Sequence, residues 1–330
     1  MEVSKYREIF QDITQGYSTY LLDKKKVFIR HFHSNERVSM RFAYDENFAR
    51  AKSKGLMTDQ DCFSFYKEEG IWTTKDESSI SSRRLFLESL HANKKAISLK
   101  SQIDQVNKDI FRTEEEIYKL EYKKREIFGT TCESYASNRA NDIFLASILY
   151  EDADLKNRVV KDCDFDEVDH SYYAKFITIN NDYMEKFAEE EIQQLCLEEF
   201  YYIYYPFCED PMGFFGKPIV ALTDNQLKLI AYTRIFKNIF ERYDKIPQSI
   251  RKDPKAILDY GSISDEARGR MNKAVNRDDG SATTLMGATK EDYAYVGLDE
   301  SDGKVVSLHD EAAKKGGSLD MKDLMKISGF

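Results

Sequence analysis

The chain has little of what most chemistry needs. Its five cysteines, Cys62, Cys132, Cys163, Cys196 and Cys208, are an odd number without any C-x-x-C spacing. That pattern argues against a disulfide framework and predicts reduced, mostly buried thiols in a reducing compartment. Positive charge is outweighed: 49 Lys and Arg stand against 58 Asp and Glu, for a formal net charge of -9 and a pI near 5.3. Phosphate binding requires Lys and Arg clustered on one face, so direct nucleic-acid binding is not expected. No stretch reaches the roughly 18 uncharged apolar residues of a membrane span, and Met1 to Arg7 hold no apolar signal region. A soluble, intracellular protein without membrane contact is the expectation.

Catalytic anchors are missing too. No G-x-S-x-G elbow, H-E-x-x-H pair or G-x-G-x-x-G loop occurs. Gly213-Phe214-Phe215-Gly216-Lys217-Pro218 contains a Gly-Lys pair, but Pro stands at 211 and 218 where a phosphate loop needs Gly and Ser or Thr. A rigid aromatic turn is the better reading. Asp162, Asp164, Asp166 and Asp169 imitate the first ligands of a calcium loop. Glu167 occupies its turn position and Tyr173 its last ligand position, so those Asp residues are read as helix caps. His31 and His33 would share one side of an extended segment, yet nothing nearby completes a metal site, and a surface pair is expected. The sequence implies no cofactor and no metal.

What is present is helical. Ala96, Leu99, Ile103, Val106, Ile110, Thr113, Ile117, Leu120, Lys124 and Ile127 alternate in steps of three and four, the a and d positions of about five heptads. A helix from Leu85 to Phe128 would be roughly 65 Å long and needs a partner along its length. That partner is another copy, another protein or the chain's own helices.

With 42% apolar and 13% aromatic residues the rest of the chain suffices for a core. The expected architecture is mainly α. A mixed α/β-prone region spans residues 1–80, the long coiled-coil-like helix 81–128, a helical domain 129–260 and a poorly packed, flexible tail 261–330. In the first region an amphipathic helix (Tyr6, Ile9, Phe10, Ile13) precedes β-prone runs at Val27 to Phe32 and Val38 to Phe42. Thr58 and Asp61 read as a helix N-terminus, with Trp72 in a loop beyond Gly70. A helix from 181 to 205 ends in the all-apolar run Phe200 to Tyr205, which must be buried or form an interface. Leu222-Thr223-Asp224-Asn225-Gln226-Leu227 combines a capping box with a hydrophobic staple. A short helix is expected at Pro254 to Tyr260. In the glycine-rich tail, Leu319, Met321, Leu324, Met325 and Ile327 form a compact apolar patch suited to docking on a partner.

At Phe214 to Ile219 and Gln226 to Leu229, taken with Gly70-Ile71-Trp72 and Lys100-Ser101-Gln102, the chain resembles a virion-assembly protein family of large tailed bacteriophages. The resemblance extends over about residues 15 to 245 and transfers no functional residue. It implies a tail-assembly chaperone or a virion component, in the host cytoplasm or in the particle, with virion or tail proteins as partners. The expected function is therefore non-enzymatic interaction, possible as a homo-oligomer, through Leu99, Ile103, Val106, Ile110, Ile117 and Leu120 of the ladder and Leu319, Leu324, Met325 and Ile327 of the tail. The alternative is an enzyme of unrecognised type, with a site assembled from scattered carboxylates and tyrosines.

Overall fold

The structure, a computed structural model, describes residues 2–160, 170–243, 246, 248, 250–264, 266, 292, 308–316, 318 and 320–327. The fold is mainly α-helical, as expected, with one small sheet among the described residues. Residues 1–74 and 123–241 form one compact unit, residues 75–122 and 242–330 another. The acidic run from Asp162 to Asp169 lies outside the described residues.

The first unit begins with helix α1 (Glu2–Gln15) and a hairpin of strands β1 (Tyr17–Leu22) and β2 (Lys25–Arg30). Asp23 and Lys24, the two turn residues, both adopt positive φ (48° and 68°), the backbone of a type I′ turn. A two-residue strand β3 (Leu149–Tyr150) adds to the free edge of β2, giving the antiparallel order β1-β2-β3. Val38 to Phe42, β-prone by composition, lies inside helix α2 (Glu36–Ser53). Tertiary interactions override that propensity. The Glu36 carboxylate accepts the His33 backbone N–H at 2.9 Å and also pairs with Arg30, which fixes the start of the helix.

Helix α2 packs closely along helix α6 (Cys132–Ile148). The buried positions explain the close approach: Asn47 and Ala51 on α2, and Cys132, Ala136 and Ala140 on α6, are small and four residues apart. Such rows let two helices interdigitate through their i±4 ridges with little side-chain bulk between them. Helix α3 (Asp59–Glu68) starts at the expected cap, where Thr58 and Asp61 form a reciprocal capping box. Trp72 is buried in the following loop, edge-on to Phe128.

The single helix expected from 181 to 205 is three elements: α7 (His170–Lys186), α8 (Glu189–Cys196) and a 3-10 helix (Glu199–Glu209). Ala188 is extended (ψ 153°) and separates the first two. A short helix α9 (Pro211–Phe215) follows and is closed by Gly216 in the left-handed conformation (φ 64°), so the aromatic turn contains a helical turn of its own. Helix α10 (Asp224–Arg242) begins at the expected box. The Gln226 side chain accepts the Thr223 N–H at 3.0 Å, and its amide donates to the Ile13 carbonyl at 2.9 Å, tying α10 to α1.

The long helix expected from Leu85 to Phe128 is two helices, α4 (Thr74–Lys94) and α5 (Lys100–Phe128). The short link turns the chain back, so Arg83 and Arg84 of α4 meet Glu116 and Glu121 of α5. Residues far along the chain satisfy the groups that the break exposes. Ser264 donates its N–H to the Lys95 carbonyl at 3.0 Å, and Lys94 pairs with Asp259 of helix α11 (Pro254–Ser262). The buried Asp292 carboxylate accepts both the N–H and the hydroxyl of Ser101 (2.7 and 2.6 Å) at the first turn of α5. Helices α12 (Leu308–Lys314) and α13 (Met321–Ile327) are the last described elements; Asp320 and Asp323 cap α13 reciprocally.

Candidate functional site

The 3-10 helix Glu199–Glu209 is 11 residues long, although such helices rarely exceed one turn. Side chains hold it. The Tyr201 hydroxyl lies 2.9 Å from Thr233 Oγ1, Tyr205 donates to the Cys196 carbonyl at 2.8 Å, and Arg234 Nε donates to the Cys208 carbonyl at 2.9 Å. Phe10 of α1 packs against Tyr201 and Tyr204 (ring centres 5.5 and 4.8 Å), and Tyr204 meets Phe214 edge-on. Burial raises the pKa of Tyr201 and Tyr205 far above that of free tyrosine, so both remain neutral hydrogen-bonding groups.

Three residues per turn place Ile203, Pro206 and Glu209 on one outward ridge, and all three are exposed. Phe207 and, further along the chain, Met212, Ile219 and Val220 also face solvent; with Ile203 these five apolar side chains are each 55% to 70% exposed. The aromatic run is thus split: Tyr201 anchors the segment while its neighbours are presented. Sequence reasoning singled out Phe200 to Tyr205 but missed Phe207, Met212, Ile219 and Val220. Nothing in the residue types separates these exposed apolar positions from the buried ones.

A second feature is an open cleft of about 440 Å³ between α6 and α7. Tyr135, Asn138, Arg139 and Asp142 come from one face of α6, with Asn141 beside them and Tyr173 opposite on α7. Arg139 donates to Asp142 at 3.3 Å and lies over the Tyr135 ring at 5.6 Å; Tyr173 donates to the other Asp142 oxygen. Burial, then the bond to Asp142, keep the Tyr173 pKa above the ordinary tyrosine range. Among the described residues no group of three His, Cys, Asp or Glu side chains could hold a metal ion.

His31 is not on the surface as the sequence suggested but fully buried, its Nε2 2.9 Å from the Ser18 hydroxyl. The backbone of His33 forms a bridge to Thr223 instead of facing a ligand. Of the ladder residues, Leu99, Ile103, Ile110 and Ile117 are buried within the single chain, and Val106 and Leu120 are half-buried. In the tail patch Met325 is exposed on α13. Leu319 and the side chains of Leu324 and Ile327 lie outside the described residues. No described helix is long and apolar enough to cross a membrane.

Comparison of the chain with protein-family models, with curated proteins and with solved structures gives no match.

Proposed function

We propose that this chain is a non-enzymatic interaction protein that holds a protein partner on the outward face of the 3-10 segment, as a tail-assembly chaperone or virion component of a tailed bacteriophage. One observation carries the interaction reading: Ile203 and Phe207 stand in solvent on a backbone that Tyr201, Tyr205 and Arg234 hold in place, and Met212, Ile219 and Val220 are exposed on the short turns that follow. Exposed apolar side chains clustered on one stretch of chain are a mark of interaction surfaces. Anchoring from beneath lowers the entropy that binding must give up. The assembly setting, and with it the host cytoplasm or the virion as location, rests on the sequence resemblance. The exposed Met325 of the tail patch would be a second point of contact, whereas the α5 ladder is taken up within the chain itself.

The alternative, an enzyme built from scattered carboxylates and tyrosines, has one supporting feature in the Asp142–Tyr173 pair. The test is affinity capture of the tagged full chain from its native source, beside the Ile203→Asp/Val220→Asp variant. The interaction reading expects one stoichiometric virion or tail protein, lost in the variant while its circular dichroism is unchanged. Capture of no partner, or capture indifferent to the substitutions, would overturn it.

A further inference from the structure

Helix α5 has two faces of different chemistry. Ile103, Ile110 and Ile117 are buried, so the apolar ladder is used up within one molecule. On the opposite side, Phe111, Glu115, Tyr118 and Tyr122 follow one another in steps of four, three and four, which at 3.6 residues per turn is one outward stripe. Phe111 is 70% exposed, Tyr118 60% and Tyr122 49%, the last two beside the contact that their rings make with each other. A helix face that meets only water is ordinarily lined with charged and polar side chains. Three large rings on such a face mark a surface that another molecule covers.

The charges in the stripe select that molecule. Glu115 pairs with Lys119 one turn further on, and both side chains are largely in solvent, so the pair adds little to the single chain. Lys119 flanks the stripe on one edge; Phe111 and Tyr118 lie on the other. A second copy laid antiparallel, about a two-fold axis at the level of Ile117, matches both edges at once. Glu115 then stands opposite the partner's Lys119, and Lys119 opposite the partner's Glu115. On the aromatic edge Phe111 meets the level of the partner's Tyr122, and Tyr118 comes beside the partner's Tyr118. A parallel pair would instead set Glu115 against the partner's Glu115 and Lys119 against the partner's Lys119, like charge on like. Self-complementarity of this kind is what a two-fold interface requires.

We infer that the outward face of α5, built from Phe111, Glu115, Tyr118, Lys119 and Tyr122, is the interface of an antiparallel homodimer. The inference stands on α5 alone and does not depend on the partner surface proposed for the 3-10 segment.

The test is the mass of the full chain, by light scattering and sedimentation equilibrium over a concentration series, with circular dichroism of every variant. The native chain is expected to approach twice 38.5 kDa as concentration rises. Glu115→Lys and Lys119→Glu each turn both pairs between the copies from attraction into repulsion, and each is expected to weaken self-association about tenfold. Mixing the two variants restores both pairs, so a dimer with one copy of each is expected at close to native strength. Phe111→Asp, an independent change on the aromatic edge, is expected to weaken the dimer as well and keeps the test decisive should a charge variant fold poorly. A native chain that stays at 38.5 kDa throughout would overturn the inference. So would folded variants that dimerise as the native chain does, or a mixture that associates no more strongly than its components.

Discussion

The Ser18 hydroxyl and His31 Nε2 meet at 2.9 Å in the interior of the first unit, with both residues fully buried. The other ring nitrogen, Nδ1, is buried with no hydrogen-bond partner among the described residues, and the rings of Phe187 and Tyr183 lie 4.7 and 5.5 Å away. Burial, followed by the nearby Lys186 ammonium and His33, depresses the His31 pKa from 6.5 to about 3. The imidazole is therefore neutral in the folded state.

That depression gives stability a pH dependence with a definite sign. Between pH 6.5 and about 3 the unfolded chain binds a proton at His31 that the folded chain does not, so stability falls as pH falls through this window. The limiting slope is about 1.4 kcal/mol per pH unit. Urea unfolding at pH 7 and pH 4.5 should show a smaller acid loss for His31→Gln than for the native chain. Equal losses would remove His31 from the account.

Gln226 connects three backbone groups while itself fully buried. Gln226→Ala leaves the Thr223 N–H and the Ile13 carbonyl without their partner. A loss of about 2–4 kcal/mol in unfolding free energy is expected. A loss below about 0.5 kcal/mol would show that water replaces the side chain without cost.

Lys24 occupies the second turn position of the hairpin at φ 68°, a conformation that costs a side-chain-bearing residue energy and glycine almost none. Lys24→Gly should raise stability by about 0.5–1 kcal/mol, read as a higher thermal midpoint. A lower midpoint would mean that the type I′ turn is wrong.

The α2–α6 contact depends on small side chains. Ala140→Leu forces extra volume between the helices and should cost about 1–3 kcal/mol, whereas Ser137→Leu on the exposed side of α6 should be close to neutral. Similar costs for the two substitutions would contradict the packing.

Much of the helical framework is legible because its signals are local. The Thr58–Asp61 and Thr223–Gln226 boxes and the helix at Pro254 all depend on neighbours a few residues apart. What is not legible depends on distant partners. The ladder continues through Ala96 and Leu99, so nothing local announces the break between α4 and α5; Asp259, Ser264 and Asp292 stabilise it from more than 150 residues away. The β1–β2 hairpin lacks the glycine that usually announces a type I′ turn, and Asp23-Lys24 reads as ordinary polar loop. The outward face of Ile203 to Val220 is hidden for a different reason, since apolar residues carry no mark of whether they are covered.

The thiols offer a check on the burial pattern. Cys62, Cys132, Cys196 and Cys208 are buried and unpaired, and burial pushes each pKa up, that of Cys196 to about 12. Iodoacetamide at neutral pH should leave these four unmodified in the native chain and label all of them in urea, as read by peptide mass spectrometry. Rapid native labelling of any of them would show that its surroundings open readily.

The most direct test of the central claim is photo-crosslinking from a single position. A photoreactive residue at Ile203 or Phe207, on the presented face, should give one defined adduct with the same partner protein in the native source. The same residue at Phe42, equally exposed but on α2, should give none. Absence of an adduct from 203 and 207, or an identical adduct from 42, would contradict the assignment of the 3-10 segment as the binding surface.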